Sequence, residues 1–175
     1  GVWRHWRLSL RSLRPLRFLF YRKDADGLKY FTQCVKYFVS LWMHLTECAS
    51  KKRKLVTVRV LDKGDIKKIT KKEYFFDCKA AKKNSEVYKL CLMEDESIIG
   101  LVGLVDTPAD RRIEVKLLAS SLKNVGAGKV YEGIAGCLIA FACREALVKY
   151  GDLACVSLLP KTELKKHYMK KYGML

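Results

Sequence analysis

The chain has 175 residues, half of them apolar, and carries 35 Lys and Arg against 18 Asp and Glu, a formal charge of +17; this is enough for one domain with a substantial core and too short for two. Its seven cysteines, at 34, 48, 78, 91, 137, 143 and 155, are odd in number and never closely paired, which excludes a zinc finger or a Cys-x-x-Cys redox motif. Most lie in apolar runs and read as small hydrophobes of a reducing, cytoplasmic compartment. His5, His44 and His167 are too far apart in sequence to suggest a metal site, so no metal is expected, and no Ser/His/Asp nucleophile elbow occurs.

The charge is uneven, with 13 Lys and Arg against 3 Asp and Glu in residues 1–54. Gly1 to Arg22 contains repeated Arg and no acid, and Pro15 interrupts any helix there. Such a segment suits an RNA backbone, an anionic membrane surface or organellar targeting; the plainest expectation is a poorly ordered extension outside the folded architecture. The absence of an initiating Met points to a processed, tagged or partial chain. From Leu28 to Cys48 the residues Tyr30, Phe31, Cys34, Val35, Phe38, Leu41, Trp42 and Leu45 recur at helical spacing. An amphipathic helix is expected there, packed on the domain or on a second subunit of a homodimer. Lys51-Lys-Arg-Lys54 then forms a basic linker and sets the expected boundary: a basic, aromatic-rich extension over 1–54 and a folded domain over 55–175.

Leu55 to Leu61 alternates and is β-branched, so it reads as a strand. Asp62 and Asp65 can start a short helix over 65–72 with Ile66 and Ile69 facing inward, and a second short helix is expected over 73–83, where Tyr74, Phe75 and Phe76 read as core. Val87–Met93 and Ile98–Val105 flank Glu94-Asp-Glu-Ser97 as a hairpin, with Gly100 and Gly103 allowing a bend or a close approach.

Arg112 to Leu118 alternates and then turns wholly apolar, as a strand does on passing into a buried environment. A helix follows within Lys129–Val148; it opens on Gly133, Ala135 and Gly136 and is free of charge from Ile134 to Cys143. Apolar on most faces, it should be covered on more than one side, and it is too short a run to cross a bilayer, which takes about 20 residues. Its small-residue start presents unpaired amides and the positive dipole end, which suits a phosphate, although the same residues also suit simple close packing on a sheet. Leu153–Leu159, closed by Pro160, reads as the next strand. Strand, helix, strand with tight connections is a parallel crossover unit, in which ligands sit beyond the carboxyl ends of the strands.

Glu114-Val-Lys-Leu-Leu-Ala-Ser-Ser121, Asn124-Val-Gly126, Lys129-Val-Tyr-Glu-Gly-Ile-Ala-Gly-Cys137, Pro160-Lys-Thr-Glu-Leu-Lys-Lys-His-Tyr168 and Tyr172-Gly-Met174 follow one another in the order that resembles the GNAT superfamily of acyl-CoA-dependent N-acyltransferases. The subgroup it resembles has a helix opening Tyr-x-Gly-(Val/Ile)-x-Gly and a last strand leading into Lys-Thr-x-Leu-x-x-His-Tyr. The likeness spans residues 55–174 loosely and 112–174 well. It departs in four places. Val130 stands where the family has Arg or Gln, with Lys129 beside it, and Cys137 replaces an Asn. The connection between the first two strands is short, and the sequence stops at Leu175, where the family normally adds a hairpin.

The resemblance implies an α/β (α+β) fold, a mixed central sheet with helices on both faces and without the C-terminal hairpin. It implies acetyl-CoA, or another acyl-CoA, as co-substrate, and a small-molecule or protein amine as acceptor. Tyr168 matches the family's proton donor to the departing thiolate, with Tyr172 as rival, and a phenol near pKa ~10 suits that task. Glu114 is the candidate base. Backbone near Leu117 and Leu118 would hold the pantetheine arm as an added strand does, and an N–H there would polarise the thioester carbonyl. Main-chain amides from Tyr131 through Gly133, Ile134, Ala135 and Gly136 to Cys137, helped by Lys129, would hold the diphosphate. Asn124, Gly126, Lys161, Thr162 and His167 would line the cofactor, His167 being a second candidate for proton transfer. The reading from another class is a catalytically silent protein of this fold that binds CoA, or binds nucleic acid or membrane through its basic N-terminal third, without turnover.

Overall fold

The computed structural model describes residues 6–9, 43–69, 74, 83–159 and 166. In chain order these form β1 (Trp6–Ser9), β2 (His44–Glu47), β3 (Arg53–Val60), helix α1 (Lys63–Lys68), β4 (Glu86–Leu92), β5 (Ile98–Thr107), β6 (Arg112–Ser120), β7 (Tyr131–Glu132), helix α2 (Ile134–Tyr150) and β8 (Cys155–Leu158). The strands are hydrogen-bonded in the order β1-β8-β6-β5-β4-β3-β2-β7. Every neighbouring pair is antiparallel except β6 and β8, which run parallel and are connected through α2. The fold is a mixed α/β sheet with a helix on each face.

Local chemistry accounts for the elements. The start of α1 is a capping box: the Asp62 carboxylate accepts from the Asp65 amide at 2.8 Å and Asp65 accepts from the Asp62 amide at 3.0 Å. The turn between β4 and β5 is closed by the Leu92 amide donating to the Ser97 carbonyl and the Ser97 amide to Asp95. Along α2 the only exposed residues are Val148 and Lys149, which matches a sequence apolar nearly all round. Its inner side, with Leu138, Phe141 and Ala142, packs on Ile113 and Val115 of β6 and Val156 and Leu158 of β8. A smaller cluster of Leu61, Tyr74, Val87 and Leu101 lies with Ile66 of α1. Gly100 lets α2 approach β5, since a Cβ there would lie 2.7 Å from the Ile134 Cγ2.

Two expectations for the first third are corrected. The end of the helix expected over 28–48 is the strand β2, which pairs with β3 on one side and β7 on the other. Thr46 is β-branched and Leu45 is fully buried in the main core, so pairing and burial override the helical stripe. The rest of that helix lies outside the described residues, as does most of the helix expected over 73–83. In the segment expected to lie outside the folded architecture, Trp6–Ser9 is a strand paired antiparallel with β8. Sheet strands therefore occur before the boundary expected at residue 54.

Candidate functional site

The geometry of the candidate site is set by β6. Its pairing with β5 runs from Arg112 to Ser120, whereas its pairing with β8 stops at Val115 opposite Leu158. Past that point the second edge of β6 has no strand partner among the described residues. The register with β5 also shifts here: Leu104 stands opposite Val115 and Gly103 opposite Leu117, so Lys116 is an extra, bulged residue. A slip of one residue turns the following side chains over. Ile113 and Val115 pack under α2 before the bulge, and Leu118 does so after it, while Leu117 and Ala119 join the opposite cluster.

The start of α2 lies over this open half. Gly100 pairs with Ser120 at the end of β6, and it is Gly100 that touches Ile134. The segment between them, residues 121–132, is held by Asn124, whose amide nitrogen donates to Ser121 Oγ at 2.7 Å and whose carbonyl oxygen accepts from the Tyr131 amide at 2.9 Å. Gly133 enters the helix at φ 99°, a left-handed conformation that favours glycine. No side chain caps the first turn, so the amides of Ile134, Ala135 and Gly136 point out of the helix end without a helical acceptor. β2 forms the floor: Leu45 is in contact with the position a Gly133 side chain would take, and Cys137 Sγ donates to the His44 carbonyl at 3.5 Å.

The structure places Leu118, Tyr131, Ile134 and Cys137 in one core and bonds Asn124 to the Tyr131 amide, whereas Leu117 joins the cluster on the opposite face of the sheet. It also narrows the set of expected amide donors. The Tyr131 amide is engaged by Asn124 and the Cys137 amide by the Gly133 carbonyl at 2.9 Å. The Asn124 side chain is engaged at both ends and shapes the segment instead of facing outward. Lys129 pairs with Glu132 at 2.7 Å, a hydrogen bond that raises its pKa. Burial pushes the Cys137 thiol up to about 11, so it stays protonated at neutral pH. Lys161, Thr162, His167, Tyr168 and Tyr172 lie outside the described residues.

Glu114 sits one step earlier, in the half of β6 that β8 still covers, and it is only 8% exposed. It is not isolated. Its Oε1 pairs with Lys116 at 2.7 Å, and Oε2 lies 4.0 Å from Arg112. Arg112 donates to Ser157 Oγ across the parallel pair at 3.0 Å and pairs with Asp110 at 3.1 Å, while its buried Nε has no hydrogen-bond partner. Sequence reading missed Arg112, Ser157 and β2. Arg112 was hidden because a strand in which charge alternates with Ile113 and Val115 looks half solvated, and Ser157 because its pairing with Arg112 arises only when β8 is laid against β6.

Among the described residues no group of His, Cys, Asp or Glu is placed to hold a metal ion, and no helix is long and apolar enough to cross a membrane. No family model matches the chain, and no curated protein does. Among solved structures, the chain is similar to a GNAT-family protein from Novosphingobium aromaticivorans described as an acetyltransferase, at 14% identity and a TM-score of 0.46, covering 67% of this chain and 51% of that one. It therefore spans about half the length of that protein. A GNAT-family acetyltransferase from Streptococcus pneumoniae is similar at 17% identity and a TM-score of 0.45, with 68% and 86% covered. An acetyltransferase from Trypanosoma brucei is similar at 14% identity and a TM-score of 0.43, with 66% and 90% covered.

Proposed function

We propose that this chain is an acyl-CoA-dependent N-acyltransferase, with acetyl-CoA as donor and an amine as acceptor. The observation that carries the reading is the parting of β6 and β8 after Val115 and Leu158, beneath the uncapped start of α2. The residues present fit a nucleotide diphosphate: nothing larger than a methyl group stands at positions 133, 135 or 136. The amides of Ile134, Ala135 and Gly136 bind the diphosphate, and the open edge at Leu117 and Leu118 takes the amides of the pantetheine arm.

The acceptor amine gives its proton to the Glu114 carboxylate, directly or through water. Its nitrogen attacks the thioester carbonyl carbon, which a main-chain N–H polarises, and the carbon–sulfur bond breaks. The thiolate takes the proton of the Tyr168 hydroxyl.

Calorimetry with acetyl-CoA, followed by free-thiol release against an amine panel, tests the reading. Tyr168→Phe should keep the binding heat and lose ~10²-fold or more of the rate. Absence of any binding heat from well-folded protein would end it. A second reading, a CoA-binding protein without turnover, is favoured by the engagement of Glu114 with Lys116; binding heat with no thiol release for any amine would select it.

A further inference from the structure

We propose that the turn between β2 and β3, with the neighbouring Lys123, is a docking surface for the phosphodiester backbone of RNA. The turn carries Lys51, Lys52 and Arg53, all exposed and all without an ion-pair partner among the described residues. The next cations along β3 are different: Lys54 is paired with Glu94 and Arg59 with Glu96. Three consecutive unneutralised charges repel one another, which a purely structural turn avoids.

The turn is also held in one shape. The Lys51 amide donates to the Glu47 carbonyl and the Glu47 amide to the Lys52 carbonyl, each at 2.9 Å, and the Ser50 hydroxyl bonds Glu47 while accepting from the Lys52 amide. Lys51 sits at φ 57°, the left-handed region that costs a residue with a side chain and that glycine adopts freely. Two other turn residues, Glu96 and Arg111, share this conformation, and at Lys51 it holds the side chain on an exposed turn.

β2 then fastens the turn beside the segment that leads into α2. The Cys48 amide donates to the Val130 carbonyl at 2.8 Å, and Glu47 is in register with Tyr131. That segment adds the exposed Lys123 and the exposed backbone of Gly126 and Gly128, which supplies further phosphate donors. A membrane-facing basic patch would carry a broad apolar stripe. Residues 48–53 offer none, the exposed Leu55, Val125 and Val130 nearby are single apolar side chains, and a line of cations on a rigid turn fits a linear polyanion better.

The test uses the full chain and a fluorescein-labelled 20-nucleotide oligouridylate, with anisotropy read between ~50 and ~200 mM salt. Replacing Lys51, Lys52 and Arg53 together by Glu should weaken binding at least tenfold and flatten the salt dependence by about two in log–log slope, since each single-strand phosphate contact contributes ~0.7. Lys51→Gly removes one charge and relieves the turn, so it should weaken binding about threefold while the melting temperature holds or rises. Less than a twofold effect of the triple variant overturns the proposal and leaves RNA affinity to residues 1–42. Two other outcomes also overturn it: vesicles of phosphatidylglycerol bind through these residues while RNA does not, or the triple variant loses acetyl-CoA binding in calorimetry, which would assign the cations to the cofactor's own phosphates. Failure of acetyl-CoA to bind the wild type touches the enzyme reading alone.

Discussion

The two halves of β6 make the most instructive contrast in the molecule. Arg112–Val115 is paired on both sides, by β5 and by β8, and its side chains are buried on both faces. Lys116–Ser120 keeps only the β5 partner among the described residues, is bulged at its first residue and lies next to the start of α2. One strand thus serves two purposes. Its first half contributes stability through packing and a buried polar row, and its second half leaves backbone groups that a ligand can pair with. The bulge divides them, because it ends the inward alternation at the point where β8 departs.

The largest effect that would separate the halves is in packing. Ile113→Ala, in the doubly paired half, should lower unfolding free energy by about 2–4 kcal/mol, read as a urea midpoint at unchanged slope, and change acetyl-CoA affinity less than ~2-fold. Leu118→Ala, at a half-buried position in the open half, should cost less than half as much. Equal costs would show that both halves are core. Next in size, Gly133→Val forces a β-branched residue to φ 99° and should cost about 1–3 kcal/mol while weakening acetyl-CoA binding ~10-fold or more in calorimetry. If stability falls and affinity does not, the helix start is not the diphosphate site.

Ser157→Ala sharpens the contrast from the closed side. It removes an acceptor from Arg112, whose Nε already lacks one, and should cost about 1–2 kcal/mol by urea titration with no change in acetyl-CoA heat. The smallest effect is a pH dependence at the start of α2. The Cys137 thiol has its folded pKa raised by burial from 9.0 to about 11. Above pH 9 the unfolded chain releases that proton while the folded chain keeps it, so the unfolded state binds fewer protons and stability falls as pH rises from 9 to 11. Cys137→Ala should therefore decline less steeply than wild type in unfolding titrations over that window. Parallel declines would show that the thiol is not shielded.

Much of this was legible in the residues themselves. The alternation from Arg112 onward, the small-residue opening of a long apolar helix and the short run ending at Leu158 gave the crossover unit, because period and turn chemistry are local properties. That Asp62 and Asp65 start a short helix was legible for the same reason, although the helix runs over Lys63–Lys68 and not 65–72. β2 was not: His44–Glu47 continues a helical stripe in sequence, and its conversion to a strand depends on two partners, β3 and β7, that lie elsewhere in the chain. The polar row of Arg112, Glu114 and Ser157 was hidden too, because burial of both faces of β6 is a property of the assembled sheet.

The amino-acid order alone therefore indicated β3, β4, β5, β6, β8 and the apolar helix α2 with its small-residue start, since propensity, periodicity and glycine placement act within a few residues. Tertiary structure decided which edge of β6 stays open, which amides are already engaged, and that a basic turn from the first third is fastened beside the helix start. Those outcomes depend on register and pairing between segments far apart in the chain, such as Cys137 with His44, 93 residues away, and no local pattern encodes them.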